Sequence, residues 1–75
     1  MQYLKSEQPV PGKGMALTYY ETDSDFIIQR MLTAIHETNE LTLYPNPKIK
    51  KVFMPEMLQK VSEEEFTTLW EKGSV

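Results

Sequence analysis

There is no cysteine among the 75 residues, so disulfide staples and thiolate metal sites are excluded outright. The absence also fits a reducing compartment. A single histidine, His36, leaves little material for imidazole-based metal binding or acid–base chemistry. No apolar run is longer than four residues, far short of the roughly 20 needed to span a bilayer. Basic residues are outnumbered by acidic ones, 8 to 11, giving a net charge of −3. That balance disfavours general binding to nucleic acid or to an anionic membrane, both of which reward a basic surface. The opening residues, Met1-Gln2-Tyr3-Leu4-Lys5-Ser6-Glu7, lack the apolar centre of a signal peptide. These absences together lead to the expectation of one soluble, cytoplasmic domain.

What is present suffices for folding, with 40% hydrophobic residues. The core is nevertheless marginal, because a chain of about 60 residues buries only roughly 60% of its unfolded surface. Without disulfide or metal, good local structure and oligomerisation are the remaining staples.

Residues 1–14 read as an extended N-terminal arm outside a single α+β domain of residues 15–75. Pro9, Pro11, Gly12 and Gly14 cannot continue a helix or a central strand, since proline lacks an N–H and glycine permits positive φ. Residues 15–22, rich in aromatic and β-branched side chains, read as a strand. Asp23-Ser24-Asp25 supplies turn chemistry. Residues 27–35 are ambiguous. Ile27, Ile28, Met31, Leu32 and Ile35 follow helical spacing with Ser24 or Asp25 as N-cap, whereas a strand places apolar side chains on both faces. Residues 41–44 form a short strand stopped by Pro45-Asn46-Pro47. Residues 48–54 resume extended structure, with Ile49 and Phe53 on one side and Val52 and Met54 on the other. Pro55 then opens a helical turn.

The last element is the best specified. Ser62-Glu63-Glu64-Glu65 is a capping box, Ser62 capping the N–H of Glu65 and Glu65 reaching back to Ser62, with Val61 and Phe66 as a hydrophobic staple. Phe66, Leu69 and Trp70 share one helix face, and Lys72 and Gly73 mark the C-terminus.

The segments PVPGKG, YYETDSD, IIQR and SEEEFTTLWEKG resemble those of small uncharacterised bacterial domains. The shared pattern is a Pro-Gly arm, a Tyr-Tyr-Glu-x-Asp-x-Asp strand, a second strand with Ile-x-Arg, and a terminal Glu-Glu-Phe-x-x-Leu-Trp helix. In such domains the acidic turn is followed by glycine; here Phe26 stands in that place, which works against a tight turn. The resemblance implies that residues 27–35 form a strand, the alternative being a helix from about Asp25 to Glu37. The expected fold is α+β, a small three- or four-stranded antiparallel sheet packed by a C-terminal helix. Some related domains sit beside toxin genes and look like immunity proteins.

Candidate sites divide by chemistry. Glu21, Asp23 and Asp25 alternate like the opening of a calcium loop, but the sixth position is Phe26 where glycine is needed and the twelfth is Leu32 where glutamate is needed. Gly12-Lys13-Gly14 lacks the Ser or Thr and the following helix of a phosphate loop. His36 has neither a Cys nor an obvious Ser partner to activate. No catalytic, metal or cofactor-binding residue is therefore assigned, and no cofactor is expected. Lys48, Lys50 and Lys51, near Tyr44 and Phe53, could contact single-stranded nucleic acid, but lysine on an edge strand also blocks unwanted pairing. Tyr19, Tyr20 and Tyr44 are candidate interface residues, since so small a domain cannot bury all its aromatics. The expected function is a non-enzymatic protein-interaction module, immunity-like by resemblance, with a protein partner. A small nucleic-acid-binding or regulatory protein using Lys48, Lys50 and Lys51 is the alternative. A two-fold homodimer is expected through residues 15–22, an edge with no charge before Glu21.

Overall fold

The computed structural model describes residues 1–52 and 54–74. Five strands form one antiparallel sheet: β1 (Gln2–Val10), β2 (Gly14–Thr22), β3 (Ile28–Ile35), β4 (Glu40–Tyr44) and β5 (Gln59–Lys60), with a single helix, α1 (Glu63–Gly73), at the end. Their order is β4-β3-β2-β1-β5. The chain therefore runs as a meander through four strands and then returns to pair two residues of β5 with Leu4 and Lys5. The α+β class holds, but with five strands in place of three or four.

The additional strand comes from the supposed arm. β1 pairs with β2 along its whole length, from Gln2 opposite Thr22 to Val10 opposite Gly14, so no boundary falls at residue 14. Pro9 and the charges of Lys5 and Glu7 hide this strand in the sequence. The outer side of β1 beyond Lys5 has no strand partner among the described residues, and an unpaired edge is where a strand accepts proline. The Pro-Gly segment is the hairpin turn. Lys13 N–H donates to the Val10 carbonyl at 3.0 Å, and Gly12 sits at φ 80°, the third position of a type II pattern after Pro11. At Gly14, φ 88°, the Glu37 carboxylate occupies the space a Cβ would take.

Residues 28–35 form a strand, as the resemblance implies and against their helical period. A bulge explains the conflict: Glu21 pairs with Arg30 but Thr22 with Ile28, so Gln29 is the extra residue. A bulge shifts which face each residue takes, and Ile28 consequently shares a face with Thr22 while Arg30 shares one with Glu21. The turn before β3 is tight despite the lack of glycine. Phe26 itself adopts φ 61°, and Asp23 Oδ1 accepts the N–H groups of Asp25 and Ile27 at 2.9 and 3.0 Å.

Register divides the side chains between two faces. Tyr3, Lys5, Leu17, Tyr19, Glu21, Arg30, Leu32, Ala34, Leu41 and Leu43 share one. Tyr19, Leu32 and Phe66 are its buried centre, flanked by Tyr3, Leu17, Leu41, Leu43, Val61, Leu69 and Trp70. α1 thus lies on this face. Ser62 caps it by accepting the Glu65 N–H at 3.0 Å. Only that half of the capping box forms, because the Glu65 carboxylate is taken by Tyr19 Oη at 2.9 Å.

On the other face Leu4, Thr22 and Ile28 are buried, as is Val52. Residues 50–52 turn back along residues 26–28: Ile28 N–H donates to the Lys50 carbonyl and Val52 N–H to the Phe26 carbonyl, at 2.7 and 3.1 Å. Among the described residues the strand expected at 48–54 does not form. A single bridge, Ile27 to Lys51, is all that remains of it, and Phe53 lies outside the described residues. Pro45 and Pro47 follow the end of β4 and Pro55 closes the stretch, so the ladder is interrupted before residue 48 and is not resumed beyond that bridge. The turn expected at Pro55 is present as a 3-10 turn, Pro55–Met57.

Candidate functional site

The densest polar chemistry lies beneath α1. Strand β2 presents Glu21 and β3 presents Arg30 directly opposite. Arg30 Nε donates to Glu21 Oε1 at 2.7 Å and Nη2 to Oε2 at 2.8 Å. Tyr3 Oη, from β1, donates to the same Oε2 at 3.0 Å. The guanidinium packs against two aromatic rings, 5.3 Å from the Phe66 centroid and 4.7 Å from that of Trp70, and those two rings stack on each other at 5.9 Å. The Glu21 side chain is 9% exposed and that of Arg30 is 34% exposed.

Protonation follows from these contacts. The bidentate Arg30 bond outweighs burial and holds the Glu21 carboxyl below its ordinary range, aided by Tyr3, while the Arg30 pKa is raised by the same pair. Tyr3 is shifted upward by burial first and by Glu21 second. Tyr19 is pushed up to about 12 by burial and by its bond to Glu65. Both Glu21 oxygens are bonded, and the ring pair covers one side of a guanidinium that stays partly exposed. The arrangement clamps three strands to the helix. The sequence motifs converge here. Glu21 of YYETDSD, Arg30 of IIQR, and Phe66 and Trp70 of SEEEFTTLWEKG form one cluster, so what they encode is architecture.

The sequence candidates scatter. Tyr19 is 4% exposed within the core and is not presented to a partner. Tyr20 is half-buried on the opposite face, and Tyr44 is 40% exposed on β4. β2 lies between β1 and β3, both of its edges are occupied, and dimerisation by pairing through residues 15–22 is overturned. Lys48, Lys50 and Lys51 are exposed, but they sit on an irregular segment and guard no edge; Lys50 Nζ reaches Asn46 Oδ1 at 3.0 Å. Glu21, Asp23 and Asp25 do not converge, and among the described residues no three metal-ligating carboxylate or imidazole groups cluster.

What the structure brings together instead is a groove at the outer edge of the sheet. Met31, Leu43, Tyr44, Pro45, Asn46, Pro47, Lys48 and Ile49 line about 610 Å³. Ile49, 62% exposed, is the least sheltered apolar member. β4, beside it, ends the sheet and carries Leu41-Thr42-Leu43-Tyr44 with no charge after Glu40. Of these residues only Tyr44 was recognisable in the sequence as an interface candidate. In the sequence Ile49 falls on one face of an expected strand and Met31 within the ambiguous segment 27–35. No protein-family model, curated protein or solved structure matches this chain.

Proposed function

We propose that the protein is a non-enzymatic protein-interaction module whose contact surface is the β4 edge and the groove beside it. One observation carries the reading: the apolar side chains of Tyr44 and Ile49 stand exposed in a groove next to a strand edge without defending lysine or proline. Exposed apolar surface beside a free edge is what strand-addition partners use, the backbone supplying affinity and the side-chain pocket specificity. The charged residues of the core are internally satisfied, which supports binding over catalysis. The resemblance to immunity-like domains points the same way, toward action by surface complementarity on a protein target.

A photo-crosslinking amino acid at position 44 or 49, with position 71 on the exposed side of α1 as control, tests this in cells. A discrete protein adduct from 44 and 49 but not from 71 is expected. Labelling by solvent alone at 44 and 49 would sink the reading.

A second reading draws on Lys48, Lys50 and Lys51, which are all exposed on one short segment. In it the protein is a small nucleic-acid-binding or regulatory module. A salt-dependent gel shift with single-stranded oligonucleotides that is lost in K48E/K50E would support it, since phosphate contacts weaken steeply with salt. The net charge of −3 argues for the first reading.

A further inference from the structure

Two edges close the sheet, and they differ. On the β1 side, β5 covers Leu4 and Lys5, and the remaining stretch contains Pro9, which has no N–H to offer. On the β4 side nothing of the kind is present among the described residues: five residues, Glu40-Leu41-Thr42-Leu43-Tyr44, end the sheet with a charge only at the first. The composition of this strand is close to symmetric about Thr42. An antiparallel copy centred there sets Leu41 opposite Leu43, Thr42 opposite Thr42 and Glu40 opposite Tyr44. Residues facing each other across an antiparallel pair lie on the same side of the sheet. In that register the leucines continue the helix-covered face, while Thr42, Glu40 and Tyr44 continue the open one. No like charges oppose each other. Shifting the centre to Leu43 would place Pro45 opposite Leu41 and cost a ladder bond.

The ends of the strand are complementary in charge as well. Past its C-terminal end come Lys48, Lys50 and Lys51, with Lys48 on the groove wall. At its N-terminal end lie Glu37 and Glu40, only partly balanced by Lys13, which bridges Glu40 at 3.1 Å. A two-fold axis through Thr42 brings the basic end of one copy beside the acidic end of the other, twice. It also brings the groove of Met31, Tyr44 and Ile49 next to the partner's β4 start, where Thr33, Ile35 and Thr42 line a shallow depression. A five-residue ladder alone falls short of the roughly 1,200–2,000 Å² that stable interfaces bury, so these groove contacts are required.

We infer that a second copy of this chain occupies the β4 edge, in a two-fold dimer pairing Thr42 with Thr42 and continuing the sheet across both protomers. This rests on the reading of β4 and its groove as a contact surface and names the occupant. Symmetric pairing is the commonest assembly, and it ends the open edge.

Sedimentation of the full chain over about 1–200 μM, with T42K, T42E and their equimolar mixture, tests both the assembly and its register. Like charges about 5 Å apart repel and opposite ones attract. Wild type should sediment as two chains. Each variant should remain folded by circular dichroism yet dissociate at concentrations on the order of tenfold higher than wild type. The mixture should recover the mass of two chains. A single-chain mass for wild type throughout overturns the dimer, and so does a dimer indifferent to both substitutions. Folded variants that fail to associate on mixing also overturn it. A monomer that still gives a foreign adduct from position 49 would remove the second copy and keep the contact surface, so the two failures are separable.

Discussion

Under α1, charged and aromatic groups from β1, β2, β3 and the helix satisfy one another, whereas at the β4 edge apolar groups face outward with nothing among the described residues to cover them. Both regions are rich in large side chains. The first has Tyr3, Arg30, Phe66 and Trp70 in mutual contact; the second has Met31, Tyr44 and Ile49 around an open groove. The difference teaches where stability and recognition lie in so small a protein. Substitutions in the first region should act on folding, and those in the second should spare it.

The largest expected effect is at Arg30. Arg30→Ala strands a buried carboxylate and removes the cation from two rings, so it should cost about 3–5 kcal/mol in urea unfolding. Glu21→Gln should cost less, about 1–3 kcal/mol, because the partly exposed guanidinium it leaves behind can still reach water. Equal losses for the two would mean that the side-chain exposures assigned to this pair are wrong. Next comes Trp70→Ala. Trp70 is half-buried, so about 2–3 kcal/mol is expected, below the roughly 3–5 of a fully enclosed aromatic. Native Trp fluorescence resembling free indole in water would contradict the stacking on Phe66.

pH separates the regions further. The Glu21 carboxyl is held below its ordinary range, so its contribution is complete above about pH 5 and drains as the pH falls through the depressed folded value. The Glu21 share of the urea midpoint should therefore hold between pH 7 and 5 and fall toward pH 3, and Glu21→Gln should flatten that acid limb. Tyr19 has the opposite sign. Its pKa is raised to about 12, so its contribution is complete below about pH 10 and is lost as the pH rises through about 12. Ultraviolet titration of Tyr19→Phe against wild type should remove a phenolate transition at that high pH. The smallest effect is at the groove. Ile49→Ser should change stability by no more than about 0.5 kcal/mol while abolishing crosslinking from position 44. A loss above about 2 kcal/mol would make Ile49 a core residue and erase the contrast.

The terminal helix was legible in advance because capping and apolar spacing are both local signals, and the strands at 15–22 and 41–44 for a similar reason. β1 was not, since Lys5 and Glu7 fall on the same face as Tyr3, and Pro9 masks what the register makes plain. Residues 27–35 imitate a helix because both faces of β3 are partly buried and a bulge at Gln29 breaks strict alternation. The Glu21–Arg30 pair was invisible for another reason. Nothing local links the two residues until β2 and β3 are aligned, and Glu21 taken alone looked like the start of a calcium loop. Likewise Ile49 shows as a groove residue only once β4 has stopped at Tyr44 and the chain beyond Pro45 and Pro47 has stayed irregular. Phe26 adopts φ 61°, so the turn demands left-handed backbone there, and a phenylalanine meets it at a cost on the order of 1 kcal/mol.

The meander has a consequence for the order in which the molecule assembles. Glu21 and Arg30 are nine residues apart in the chain, but Tyr19 and Glu65 are 46 apart. Closing the longer loop costs about 1.5 kcal/mol more chain entropy, and contacts close in sequence form sooner. During synthesis, β1 to β4 can zip together hairpin by hairpin while α1 is still inside the ribosome. Until the helix emerges, the aromatic roof over Arg30 is missing and the leucines beneath it face water. In that interval the nascent chain has a sheet without a core, and its strand ladder and one acid–guanidinium pair must keep it from pairing with its neighbours.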